Sequence, residues 1–280
     1  MIIFKTHHTL SAHLISLKKR EKKIVLVPTM GALHQGHLSL IKQVNDEDAV
    51  IVSSIFVNPT QFNDLNDFNK YPTTIERDIF ELEKSGVNIL FLPSVKEIYP
   101  NGTTQKHHFN IGYLEKILEG ASRPGHFQGV CQVIERLLQI IQPNILVLGQ
   151  KDYQQCMVIT QLIKIIGKSI NVIVCSTIRE SDGLAMSSRN LRLSVTDREK
   201  APLIYKTMLQ IKEQIIVKNF AEIKVNASNA LTTAGFTVDY IEIASAENLQ
   251  SLQEFKSSNK MVILIAASIN GVRLIDNLFV

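Results

Sequence analysis

The chain has 280 residues, 45% of them hydrophobic and 20% charged, with a formal net charge of +4. That balance supports a real core in one large or two modest domains and excludes a disordered chain. The basic excess is weak and dispersed, with 6% aromatics and no Trp. It therefore argues against a nucleic-acid-binding face, and no apolar run approaches the roughly 18–20 residues of a membrane span.

The N-terminus, MIIFKTHHTLSAHL, places histidines where a signal peptide carries its apolar stretch, so a soluble, cytoplasmic protein is expected. The basic run KKREKK (18–23) reads as the solvated end of a helix. Strand-like runs follow at 24–27, 49–56, 88–92, 144–149 and 171–175, with helical patterns near 37–45, 74–85, 126–141 and 153–166 between them. Strands apolar throughout suit burial on both faces, and their alternation with helices predicts an α/β fold with a Rossmann-type parallel sheet. The texture changes at the polar segment RESDGLAMSSRN (179–190). Beyond it come helical patterns at 196–217 and 220–234, then strand candidates at 237–244, 260–268 and 272–280. This order predicts a smaller C-terminal α+β domain, with residues 1–177 as the Rossmann-type domain and 178–280 as the second.

Cys131, Cys156 and Cys175 form no CxxC pair and sit in apolar surroundings, so they read as small buried residues. His7, His8, His13, His107 and His108 read as exposed or partly exposed side chains.

Five motifs carry candidate chemistry. In PTMGALHQGHLSLI (28–41), His34 and His37 flank Gly36 where a strand gives way to a helix. A zinc-binding HExxH has histidines four apart around a Glu; here the spacing is three, with a glycine between. An anion site fits better, with helix N–H groups, a backbone open at Gly36 and two imidazole donors directed at a phosphate. In the polar segment, Ser187, Ser188 and Arg189 are consecutive donors of the kind that wrap a triphosphate. GQKDYQQC (149–156) begins at a strand end, where open α/β sheets bind ligands; it offers Lys151 for phosphate, Asp152 as a helix cap, and the amides of Gln154 and Gln155 for a polar or carboxylate substrate. IFVNPTQF (55–62) brings Asn58 and Gln61 to another strand end, and LEGASRPGHFQGV (118–130) carries Glu119, Arg123 and His126 as a wall, a lid or a tight loop.

In this order and spacing the motifs resemble the pantoate–β-alanine ligase (pantothenate synthetase) family across essentially the whole chain, from PTMGALHQGH to RLIDN (273–277). The resemblance implies a two-step reaction. ATP and pantoate, with Mg²⁺, give a pantoyl adenylate and pyrophosphate; β-alanine then displaces AMP to form pantothenate. It also implies a homodimer and a second domain that moves over the active site; the composition and hydropathy above lead to the expectation of no nucleic-acid or membrane partner.

By the same resemblance, Met30, Gly31, Ala32, Leu33, His34, Gln35, Gly36 and His37 hold ATP, with His37 the favoured catalytic residue and His34 beside it on the phosphates. Gly149, Gln150, Lys151 and Asp152 hold the nucleotide, Lys151 reaching its phosphates. Ile178 meets adenine or ribose through its backbone, and Met186, Ser187, Ser188 and Arg189 close over the triphosphate. Gln61 and Gln155 bind pantoate, with Asn58, Tyr71, Glu119 and Arg123 at lining positions. No residue is assigned as a metal ligand; Asp78 is noted as an outer-shell candidate.

Two departures from the family pattern stand out. YPTT (71–74) replaces the usual YPRT, and Ala244-Ser245 sits where relatives often carry charge. The rivals are another HxGH nucleotidyltransferase, which would want an extra basic group for a second phosphate, and a synthetase fragment for tRNA, for which the chain leaves little room. A non-catalytic nucleotide-binding module is a third, and it would be expected to have lost His37 or Lys151.

Overall fold

The structure, a computed structural model, describes residues 1–44, 46, 48–104, 107–217, 219–258 and 260–280. The chain divides into two compact units, one of Met1–Gly149 with Gln154–Ser176 and one of Gln150–Tyr153 with Thr177–Val280.

The first unit is a parallel sheet of β1 (Ile2–Phe4), β2 (Ile24–Thr29), β3 (Val50–Ile55), β4 (Ile89–Phe91), β5 (Ile145–Gly149) and β6 (Asn171–Cys175), in the order β1-β4-β3-β2-β5-β6. Side chains alternate across it with period two. Ile24, Leu26, Ile89, Phe91, Leu146 and Leu148 pack on one face with Leu10, Leu14, Phe127, Leu138 and Leu162. Val25, Val27, Leu90 and Val147 pack on the other with Leu38, Ile41 and Leu82. Burial on both faces is why these strands read as unbroken apolar runs. The strand order reverses at β2, whose neighbours are β3 on one side and β5 on the other. In such sheets this switch point, at the carboxyl ends of the strands, is where a ligand crevice opens.

The sheet has one strand more than the five expected. β1 is a three-residue edge strand with Ile2 and Ile3 about half exposed, too short to show a period. The helix His7–Lys18 is also additional to the expected elements, although Leu10, Leu14 and Leu17 lie at the spacing of one helical face and pack on the core. It ends at Lys18, so the following basic run leaves a helix end as expected. Cys131, Cys156 and Cys175 are buried, and burial, aided by Glu115 and Glu135, pushes the Cys131 thiol up to about 12.

The second unit has an antiparallel sheet of β7 (Thr237–Ser245), β8 (Met261–Ile269) and β9 (Val272–Phe279). Asn270 and Gly271, both at positive φ, make the tight turn between β8 and β9. Helices Leu203–Gln214 and Phe220–Thr233 bury Met208, Ile211, Phe220 and Leu231 with Ile243, Ile263 and Ile265. The single helix expected over 196–217 is two, Val195–Lys200 and Leu203–Gln214, broken at Pro202. Proline lacks the N–H that would continue the first helix, and its ring opposes the preceding turn. No described helix is long and apolar enough to cross a membrane.

Candidate active site

The turn after β2 is built around a buried carboxylate. Gly31 has φ +83° and Ala32 φ +50°. The reversal directs the Ala32 N–H to Asp78 Oδ2 at 2.9 Å and the Leu33 N–H to Asp78 Oδ1 at 2.8 Å, while Thr74 Oγ1 donates to Oδ1 at 3.0 Å. A Cβ at position 31 would stand 3.1 Å from Asp78 Oδ2 and from Ile55, so both the positive φ and the close approach require glycine. Asp78 is 1% exposed. It is the anchor of this turn, a stronger role than the outer-shell contact considered from sequence. Thr74 is the residue of YPTT that supports it, and it is unchanged from the family's YPRT.

The helix Gln35–Lys42 starts with His34 as its N-cap. The Gln35 and Gly36 N–H groups fall in the first turn, where no carbonyl within the helix lies far enough back to accept them. They add to the positive end of the helix dipole. His34 N–H donates to His37 Nδ1 at 3.4 Å, and the two rings lie 3.9 Å apart at 33°. Accepting at Nδ1 puts the proton of a neutral His37 on Nε2, which makes Nε2–H a donor.

A second group in the same unit surrounds the turn Pro59–Gln61. Asn58, 1% exposed, donates to Gly129 O at 3.1 Å and to Gln61 Oε1 at 3.0 Å. Its Oδ1 accepts from Thr60 Oγ1 at 3.0 Å and Tyr99 Oη at 2.8 Å. Burial pushes the Tyr99 hydroxyl up to about 12, so it remains a donor at any working pH. Gln61 Nε2 reaches Met30 Sδ at 3.2 Å, which ties this turn to the one after β2. The Gln61 carbonyl accepts from His126 Nδ1 at 2.8 Å and Arg123 Nη2 at 3.3 Å. Donation from Nδ1 leaves His126 Nε2 to accept from Arg123 Nη1 at 3.2 Å. Tyr71 is buried, its ring edge-on to Phe62 at 5.9 Å. Glu119 Oε2 lies 3.6 Å from Arg123 Nη1. The segment LEGASRPGH is a short helix, Leu118–Ser122, and a turn into His126–Ile141.

The motif offers the amides of Gln154 and Gln155 alike, the resemblance assigns only Gln155 to pantoate, and the structure separates the two. Gln154 is buried, accepts from Glu119 N–H at 3.0 Å, and donates to Leu114 O at 2.8 Å and Ile117 O at 2.9 Å. Its amide is spent inside the protein. Gln155, next in the helix and about 100° around it, is only partly buried. Gly149 ends β5, and its carbonyl accepts from Cys156 Sγ at 3.3 Å.

In the second unit, Gln150–Asp152 is a 3₁₀ turn. Lys151 Nζ lies 3.4 Å from Asp152 Oδ1. Asn277 of β9 donates to Gln150 O and Lys151 O, both at 2.9 Å, and accepts from Gln150 Nε2 at 3.2 Å. The polar segment is a narrow hairpin. Arg179 bridges Ala185, and Met186 N–H donates to Ile178 O at 3.0 Å. Ser187 caps the 3₁₀ helix Ser188–Arg192, accepting from Arg189 N–H at 3.3 Å. Arg179 grips Asp276 through both Nη atoms and lies 3.9 Å over the Tyr205 ring. Burial raises the Asp276 pKa, with the Arg179 guanidinium opposing that shift.

The sequence names Met30–His37, Gln61, Lys151 and Ser187–Arg189 as candidates but not the residues that hold these segments in the structure: Asp78 as anchor, Tyr99, Asp276 and Asn277. Each acts across 41 or more positions of the chain, so no local pattern marks it.

The sequence model of the pantoate-beta-alanine ligase family matches residues 2–279. The pantothenate synthetase of Cytophaga hutchinsonii is 44% identical over 100% of this chain and 99% of its own; that of Marinomonas sp. is 44% identical over 98% of each. The crystal structure of pantothenate synthetase from Thermus thermophilus superposes with a TM-score of 0.89 at 38% identity, covering 99% of both chains. That of pantoate-beta-alanine ligase from Francisella tularensis, complexed with beta-gamma ATP and beta-alanine, gives 0.84 at 42% identity, covering 99% of this chain and 97% of its own. With the family model matching residues 2–279 and close relatives and a superposing structure covering nearly the whole chain, the chain belongs to the pantoate–β-alanine ligase family.

Proposed function

We propose that the chain condenses pantoate with β-alanine at the expense of ATP, through a pantoyl adenylate, and that the residues above do this work. The observation that carries the reading is the turn after β2, where Asp78 clamps two backbone N–H groups and His34 and His37 stand at a helix start. The Francisella relative, complexed with beta-gamma ATP and beta-alanine, supports an adenine nucleotide and β-alanine as substrates here.

In the first step a pantoate carboxylate oxygen attacks the α-phosphorus of ATP. A P–O bond forms, the bond to the α,β-bridging oxygen breaks, and pyrophosphate leaves with the electron pair. Charge grows on the α-phosphate oxygens, and His37 Nε2–H, His34 and the Gln35 and Gly36 N–H groups supply donors for it. Lys151 and the Ser187, Ser188 and Arg189 donors hold the departing phosphates, with Met186 beside them and Ile178 at the nucleoside. The rest of the Met30–His37 turn and the Gly149–Asp152 segment form the remaining nucleotide contacts. In the second step the β-alanine amine attacks the acyl carbon, AMP leaves, and the amine loses a proton. No protein nucleophile is needed, so positioning and charge stabilisation are the enzyme's contribution.

Gln61 and Gln155 are assigned to pantoate. Amides can pair its hydroxyls as well as its carboxylate, and Gln61 also stands near β-alanine. Asn58 and Arg123 act through Gln61, whose side chain and carbonyl they hold, and Tyr71 walls that region.

Mg²⁺ enters as part of the substrate, MgATP, neutralising β- and γ-phosphate oxygens. Asp78 gives both carboxylate oxygens to backbone N–H groups, which fits a cation held by phosphate oxygens and water. The reading extends to a homodimer and a second domain that moves over the substrates, as the family resemblance implies, and to the cytoplasmic location expected from the N-terminal sequence. Its test is pyrophosphate release from MgATP with pantoate and no β-alanine. Release that requires pantoate and is limited to about one equivalent per active site supports the adenylate; release indifferent to pantoate contradicts it.

A further inference from the structure

Two neighbouring residues of β9, Asp276 and Asn277, hold both segments assigned above to the ATP phosphates. Asn277 is 2% exposed. Its side-chain amide makes three hydrogen bonds, two donated to the Gln150 and Lys151 carbonyls and one accepted from Gln150 Nε2. An apolar residue would be the ordinary occupant of so buried a strand position; an amide there is costly unless its hydrogen bonds are made. Here every one goes to the turn that carries Lys151. Asp276, 5% exposed, takes the Arg179 fork. Arg179 in turn donates to Gly183 O at 3.1 Å and Asn277 O at 3.2 Å, closing the hairpin that ends at Met186 and Ser187. The Asn277 N–H donates to Asp276 Oδ1 at 2.7 Å and completes the connection.

We propose that Asn277 and Asp276 are positioning residues for adenylation, joining the Lys151 turn and the Arg179–Arg189 segment into one rigid support for the phosphate-binding side chains. The proposal rests on the reading of Lys151 and Ser187–Arg189 as ATP residues. In it, Asn277 touches no substrate; it sets where Lys151 starts from. Asp276 does the same for the hairpin through Arg179.

The test is a double-mutant cycle on the full-length protein, with kcat and the KM values for ATP and pantoate as readouts. Asn277→Ala is expected to raise the ATP KM and lower kcat, together by about 10²-fold in kcat/KM for ATP, the effect of displacing a catalytic contact by about 1 Å. The pantoate KM should stay within about twofold. In a Lys151→Ala background, where Lys151 has no charge left to position, Asn277→Ala should cost less than about threefold more. Asn277→Ser, which keeps one donor and leaves a smaller void, should show the same pattern at intermediate size and serves if the alanine variant does not fold. Equal losses in both backgrounds, or a lowered melting temperature with unchanged kinetics, would overturn the proposal. Wild-type ATP kinetics in Lys151→Ala alone would instead overturn the assignment of Lys151 on which it depends.

Discussion

Replacing Gly129 with alanine should destabilise the protein and disable pantoate use, against the usual effect of that change in a helix. Gly129 lies inside His126–Ile141, where alanine normally gains about 1 kcal/mol over glycine. A Cβ here, however, would stand 2.1 Å from Thr60 O, 2.4 Å from Thr60 C and 2.6 Å from Gln61 N. These are backbone atoms of the Pro59–Gln61 turn, with no flexible end to swing away. Moving Thr60 O to ordinary contact at 3.4 Å requires a shift of about 1.3 Å, the difference between those two distances. Overpacking of this kind costs about 3 kcal/mol at the upper end of its usual range, so a net loss of about 2 kcal/mol is expected. The same shift carries Gln61 with it and pulls Asn58 from Gly129 O. A displacement near 1 Å is enough for about a 10²-fold loss in kcat/KM for pantoate. Urea unfolding and initial rates at varied pantoate measure both effects. A Gly129→Ala protein more stable than its parent, with pantoate kinetics intact, would refute the claim that this close approach places Gln61.

Asp78→Ala should remove the carboxylate acceptor of the Ala32 and Leu33 N–H groups, at about 1–3 kcal/mol each, and abolish adenylation; denaturation midpoints and pyrophosphate release check this, and full activity would show that the turn holds without its carboxylate. Tyr99→Phe removes one donor to Asn58 Oδ1 and should lower stability by about 1 kcal/mol. With the hydroxyl pushed up to about 12, that difference should be constant from pH 6 to roughly pH 9 in paired urea titrations. Glu97 accepts from the His7 backbone N–H and pairs with its ring, and the first of these holds its carboxyl below the ordinary 4.5. Its contribution is therefore fully present above pH 4.5 and lost as pH falls through the lower folded value. Glu97→Gln should flatten the fall in urea midpoint over that window, and an unchanged slope would place the acid sensitivity elsewhere.

The parts of this fold that could be read from sequence are those whose signals are local. β2 and β5 announced themselves because both faces are buried, while Ile2–Phe4 at the sheet edge offered three residues, two of them about half exposed, and no period. The apolar spacing runs on across Pro202, so spacing alone gives one helix where the proline makes two. The HQGH turn was legible because its donors are adjacent in sequence, and so was the serine-rich segment. What was not legible is what holds these segments still. Asp78 answers Ala32 from 46 positions away, and Asn277 answers Lys151 from 126. Both are short polar residues in ordinary contexts, and only the folded chain gives them partners. Gln154 and Gln155 make the same point at the smallest scale, since one step along a helix turns a partly exposed amide into a spent one.

The central claim is that pantoate is activated as an acyl adenylate, and the most direct measurement follows oxygen. With ¹⁸O in the pantoate carboxylate, turnover in MgATP and β-alanine should deliver one ¹⁸O into the phosphate of AMP, with none in pyrophosphate. The same experiment with His37→Ala should give label in AMP only at a rate reduced by about 10² or more, as expected for losing a donor to the developing charge. Label appearing in inorganic phosphate would mean an acyl phosphate made with ADP as the other product. AMP free of label would mean that the carboxylate never attacked the α-phosphorus. Either result would contradict the account.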